Sequence, residues 1–327
     1  MKHIWEATGD AQPDATLTQF GAARELLQLG RAYGSAQPTK TRPYQKGKVS
    51  LPAPGRRPVD IRRYLRDPAR RFLENHDEWL LHDDEFMAEA HDHAATIRPY
   101  TDPALRQPDK YQAFIKELWE CGVVSWSRKI RGRVAPFFVE KKNGMLRLVL
   151  DCRQVNVFFK VPAGCEMGSL SAMSELEVEA DSGEHLWVSQ ADVQDCFWQC
   201  AAPHELARWF GLDALPGHVL HSWGIDTVEG QAVEAGEDIH PILNCLPMGW
   251  SWSMWFVQQL HEQLVLEHFD EKQVLRDHRP APEVRHGKSC ASPYCDNLGV
   301  IRLDHENVLE LRESVQASFE RVGFRMH

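Results

Sequence analysis

The stretch SPYCDNLGV, residues 292–300, reads as a tight hairpin with the carboxylate of Asp296 at its tip. Its neighbour Asn297 is an amide where a second acid would make a ready cation site. An Asp-Asn pair is also simply good turn chemistry, because both residues bond their own backbone and tolerate positive φ. Asp296 becomes a metal ligand only if another carboxylate reaches it. A separate stretch, HLWVSQADVQDCFWQC, residues 185–200, has the apolar density of a buried strand but carries Asp192 and Asp195 near its end. Buried carboxylates are costly unless they are paired or hold a cation. Carboxylates just past a strand end sit in solvent at no such cost, and the spacing alone allows both.

The neighbouring segments are more regular. In YQAFIKELWECGVV, from Tyr111, the residues Phe114, Ile115, Leu118 and Trp119 fall on one helical face, and Gly122 stands where a left-handed cap ends the helix. The run VAPFFVEKKNGMLRLVLDCRQVN, from Val134, predicts two strands joined by a short turn at Asn143-Gly144. Lys141, Lys142 and Arg147 flank that turn. Such cations suit phosphate, Lys as a point charge and Arg as a fork, or they merely solubilise a surface. The segment NCLPMGWSWSMWFVQQLHEQLVLEHF, from Asn244, predicts a loop that enters a helix with Phe256, Val257, Leu260 and Leu264 on its inner face. Gly249 in this loop either admits a ligand close to the backbone or serves a turn. Val308, Leu311, Val315, Phe319 and Val322 then mark a last amphipathic helix, capped by Gly323.

With 327 residues, 43% of them apolar, the chain can build a real core. Eight cysteines without a CxxC pair, no leader-like start and no apolar run of about 20 residues predict a reduced intracellular protein, cytoplasmic or nuclear, that is not inserted in a membrane. The net charge of -10 hides blocks of opposite sign. Eleven Lys/Arg between residues 40 and 71 face only Asp60 and Asp67, and nine between 128 and 160 face only Glu140 and Asp151. Fourteen acids between 175 and 238 face the single Arg208, either as a solvated surface or as a site neutralised by cations. Residues 1–104 read as an extension, partly disordered, with a weak helical pattern over 16–30 and a basic linker near 37–72. That linker suits phosphate contact, a nuclear-localisation signal or plain solvation. The stretches 223–240 and 270–289 are expected as a surface insertion and a flexible loop.

Taken in order, residues 105–327 give a helix, a basic hairpin, a strand with Asp192, a glycine loop with its helix, a hairpin with Asp296 and a helix. This order resembles the fingers and palm of reverse transcriptases, most closely those of retroviral and LTR-type retroelements. The motifs that carry the resemblance are VEKKNGMLRLVLDCRQVN, ADVQDCF, LPMGWSWS and YCDN. The resemblance implies an α+β fold, a right-hand polymerase palm whose antiparallel sheet packs on helices, with a fingers subdomain. It implies RNA-directed DNA polymerisation, with a primed RNA or DNA template and dNTPs as partners.

The same resemblance implies roles for single residues. Asp192 and Asp296, with the backbone of Val193 and weak help from Asn297, would hold two Mg²⁺ ions, for which Mn²⁺ can substitute. Lys141 or Lys142, with Arg147, would grip the triphosphate, near Asp195 and Cys196. Met248 and Gly249 would lie beside the nascent base pair, and Phe197 under the incoming sugar, where it excludes a ribose 2′-hydroxyl. Tyr294 and Asn297 complete the turn motif. Asn297 departs from the family, which has a second Asp there, and Met248 replaces a frequent Gln. A lysine-bearing segment, primer grip and thumb would follow His327, so the chain is expected to be incomplete as a polymerase. Two other readings stand beside this one. The first is an inactive retroelement-derived fragment that binds RNA or DNA; the second is an RNA-dependent RNA polymerase, favoured by Asn297 and opposed by Phe197.

Overall fold

Glycine and proline set the helix ends. The computed structural model describes residues 41–327 apart from 56, 182 and 183, so the pattern over 16–30 and the start of the basic linker lie outside the described residues. Helix α1 (Asp84–Thr96) is followed by α2 (Pro108–Glu120). Pro108 opens α2, where a missing N–H costs nothing, and Tyr111, Phe114, Ile115 and Leu118 are its buried face. Gly122, at φ 73°, closes it by letting Val123 donate back to the Leu118 carbonyl. Strand β1 (Val124–Ser127) comes next, and then β2 (Ala135–Glu140) and β3 (Leu146–Asp151) form the basic hairpin, Glu140 opposite Leu146. Its turn is longer than an Asn-Gly two-residue turn. Gly144, at φ 77°, donates to Lys141, and Lys141 donates to Met145, which makes a three-residue turn ending in a left-handed glycine.

The remaining large elements are β4 (Trp187–Asp192), β5 (Asp238–Leu243), α3 (Ser253–Val265), β6 (Cys290–Tyr294), β7 (Asn297–Arg302) and α4 (His305–Arg321). β5 pairs antiparallel with β1. The sheet that matters most has the order β6-β7-β4, antiparallel throughout, with Asn297 opposite both Tyr294 and Asp192. A further ribbon joins its edge: Asp192 and His327 exchange both backbone hydrogen bonds, at 3.2 and 2.7 Å, and Gln194 donates to Arg325. Helix α4 packs on β7 and β4, and α3 on β6. On the other face Cys290 and Ile301 are still buried, and it is β4 that is left exposed. Trp187 and Val188 are 40% and 56% exposed, so β4 is not the buried strand its composition predicts. The two-residue period turns Val188 and Gln190 away from the helices and Ser189 and Ala191 toward them, and Trp187, on the same side as Ser189, stays exposed at the start of the strand.

The compact unit begins at Arg42, not near 105. Tyr44, Ile61, Leu73 and Leu80 are buried in the same cluster as Phe114 and Phe138. Charges of the expected linker pair locally, Arg62 with Asp60 and Arg70 with Asp67, which leaves its apolar residues free to pack. The acidic stretch 223–240 is more than a surface insertion, because it supplies the first half of β5 and the buried Val228, Val233 and Ile239, and Arg128 ties it down through Glu237 at 2.8 Å. The stretch 270–289 is likewise folded. Its Leu275 and Val284 join Ala172, Cys290, Ile301 and Leu303 in a second, smaller core. In both stretches a few apolar residues set among charges are enough to anchor the backbone. The chain therefore combines helices with small, mainly antiparallel sheets, and no described helix is long and apolar enough to cross a membrane.

Candidate active site

Asp192 ends β4, and Asp296 lies in the two-residue turn between β6 and β7. The register sets Asp192 opposite Asn297, so Asp296, one residue earlier, comes to the same end of the sheet. The Val193 N–H donates to the Asp296 carbonyl at 2.7 Å, which links the two segments backbone to backbone. Both carboxylates border one cavity of about 260 Å³. Burial, and then the Asp296 charge, push the Asp192 carboxyl above its ordinary value; Asp195 adds to this and His327 opposes it. An acid raised by a neighbouring acid is what a divalent cation relieves. The donors suit a hard ion, since they are carboxylate oxygens together with the Val193 carbonyl, on which no backbone hydrogen bond among the described residues ends.

Two of the four non-glycine residues at positive φ among the described residues flank this site, Asp195 at 48° and Cys295 at 54°. Such strain persists where surrounding structure over-determines it, and it gathers at functional sites. Asp195 turns the chain into the short helix Cys196–Gln199, which presents the half-buried Phe197 to the cavity. The thiols beside it are held in their protonated form. Burial, with the Asp296 charge adding, pushes Cys295 up to about 12, and Cys196, bonded to the Cys200 thiol and buried, is raised as well.

The facing wall is cationic. Lys141 Nζ donates to Ser50 Oγ at 3.1 Å and borders the cavity together with Arg147. Lys142 is exposed on the turn and does not line the cavity, so of the two lysines the sequence left open, Lys141 is the one at the site. Ser50 carried no sequence signal. It arrives because residues 48–50 run beside β3, the Ser50 N–H bonded to the Leu146 carbonyl at 2.8 Å. Met248, 41% exposed, forms another edge on a loop fixed by Ser253 Oγ to the Pro247 carbonyl and by Trp252 Nε1 to the Lys160 carbonyl, both 2.7 Å.

Besides Lys142, three expected residues lie elsewhere. Gly249 is not on the cavity; at φ 129° a Cβ there would collide with the Leu150 carbonyl, so the close approach it permits is that of its own chain. Tyr294 and Asn297 border a groove on the sheet face turned away from α3 and α4, and Asn297 Nδ2 donates to Asp296 Oδ1 at 2.9 Å.

No protein-family model and no curated protein matches this chain. A separate group, Asp181, Glu184 and His286, brings one potential ligand atom from each residue to within 4.8 Å of the others. It borders no part of the cavity, and its His286 is already paired with Glu184 at 2.7 Å.

Proposed function

We propose that this chain is the nucleotidyl-transfer module of an RNA-directed DNA polymerase, of the right-hand palm type, that joins dNTPs to a primer 3′ end. What supports the reading is the convergence of Asp192 and Asp296, more than a hundred residues apart, on one cavity that Lys141 and Arg147 also border. Acids beside cations suit a triphosphate that arrives with its metal. Mg²⁺ ions, when bound, would lower the pKa of the primer hydroxyl and neutralise the phosphates. Asp192, Asp296 and the Val193 carbonyl would hold them. Lys141 would follow the phosphate oxygens as a mobile charge and Arg147 would fix their orientation as a fork. Phe197 would set an apolar wall against the sugar, where a 2′-hydroxyl finds neither space nor a partner. Asn297 leaves the turn one charge short and steadies the Asp296 carboxylate by its amide.

That same amide favours a second reading, an inert fragment that binds RNA or DNA, because it occupies an oxygen that a cation would need. Primer extension on poly(rA)/oligo(dT) with Mg²⁺ or Mn²⁺ separates the two. Templated incorporation is expected, and Asp192→Asn is expected to lower it by about 100-fold or more. Full incorporation by Asp192→Asn would sink the metal assignment. Salt-sensitive binding without any incorporation leaves the inert reading.

A further inference from the structure

The turn that carries Asp296 holds a conformation its own residues disfavour. Cys295 occupies the first position of a two-residue hairpin turn at φ 54°, where hairpins prefer glycine. Side chains of α3 take both of its backbone groups. Gln258 Oε1 accepts from the Cys295 N–H at 2.8 Å, Gln258 Nε2 donates to the Pro293 carbonyl at 3.1 Å, and His261 Nδ1 stands 2.7 Å from the Cys295 carbonyl. A carbonyl only accepts, so the imidazole proton is on Nδ1. Gln258 and His261 are 0% and 1% exposed, one turn apart on the same helix. Burying two polar side chains is costly, and His261 Nε2 has no partner among the described residues; apart from the bond of Gln258 Nε2 to Glu262 Oε1 at 2.8 Å, the pair's side-chain bonds all go to the backbone of this hairpin.

We propose that Gln258 and His261 are positioning residues that lock Cys295 in its left-handed conformation and so fix the direction in which Asp296 presents its carboxylate. The proposal rests on the reading of Asp296 as a metal ligand and extends it to two residues that need touch neither ion nor nucleotide.

The test is Mn²⁺ binding to the full chain, followed by the paramagnetic resonance of the free ion, with thermal melting alongside. His261→Leu and Gln258→Leu should each weaken binding about tenfold, the usual loss when the group behind a metal ligand is removed. His261→Asn places an amide nitrogen near Nδ1 and should bind within about threefold of the wild type, whereas His261→Gln, which reaches toward Nε2, should not. Cys295→Gly should recover binding in the His261→Leu background, because glycine adopts positive φ freely. A folded His261→Leu with wild-type affinity overturns the proposal, and so does equal affinity of the Asn and Gln variants, a comparison that stands even where the Leu variants do not fold. A wild type that binds no Mn²⁺ refutes the metal reading instead. The clamp is then judged by hydrogen exchange at the Cys295 amide: exchange about tenfold faster in Gln258→Asn, which shortens the reach to the turn, upholds it, and unchanged exchange overturns it.

Discussion

With its proton affinity raised by burial and by Asp296, an ionised Asp192 opposes folding. A group of this sign contributes stability below its ordinary value of 3.8 and loses it as pH rises through the higher folded value. Asp192→Asn is therefore expected to melt above the wild type at pH 7 without divalent ions, by calorimetry, even as it loses incorporation. Added Mg²⁺ should raise the wild-type melting temperature and leave the variant's unchanged. Under the proposed function, Phe197 bears on a different property. Replacing it with Val opens space beside the sugar, and the ratio of ribonucleotide to deoxynucleotide incorporation should rise about tenfold or more. An unchanged ratio in single-nucleotide extension would remove the steric role.

The loop that enters α3 depends on Gly249, since any Cβ there meets both the Leu150 carbonyl and an unfavourable φ. Gly249→Ala should destabilise the chain by about 2–4 kcal/mol in urea unfolding, by displacing β3 from the loop. Helices α2, α3 and α4 were legible in the sequence because Phe114, Phe256 and Phe319 recur with their apolar neighbours at helical spacing, which burial alone dictates. The pairing of Asp192 with the Asp296 turn was legible through the order of motifs rather than through any one of them. β4 was misread as buried because composition does not show which of two alternating faces is covered. Gln258 and His261 were invisible, since their partner is the backbone of a turn 37 and 34 residues away and nothing in a helical pattern marks such a bond. The folding of 270–289 was missed for a related reason: Leu275 and Val284 are too few for a periodic signal, yet they suffice once β6 and β7 give them a surface.

Burial also sets how the entire fold answers to acid. His261 is lowered from 6.5 to about 4, so between these values the unfolded chain takes up a proton that the folded chain refuses. Stability should fall as pH drops across that window, by about 3 kcal/mol in total from this group. Acids held low by hydrogen bonds and cations, Asp60 and Glu267 among them, add their own losses at lower pH, so the wild type must be compared with His261→Asn. That variant keeps a donor but does not titrate, and urea unfolding at successive pH values should show its slope flattened between 6.5 and 4. The strands around the Asp296 turn are divided between two apolar clusters, Ala291, Leu298 and Val300 in the larger and Cys290 and Ile301 in the smaller. Cys290 and Ile301 pair at the end of the hairpin away from that turn, and Leu298 lies beside it, so both clusters brace the same two strands at different distances from Asp296.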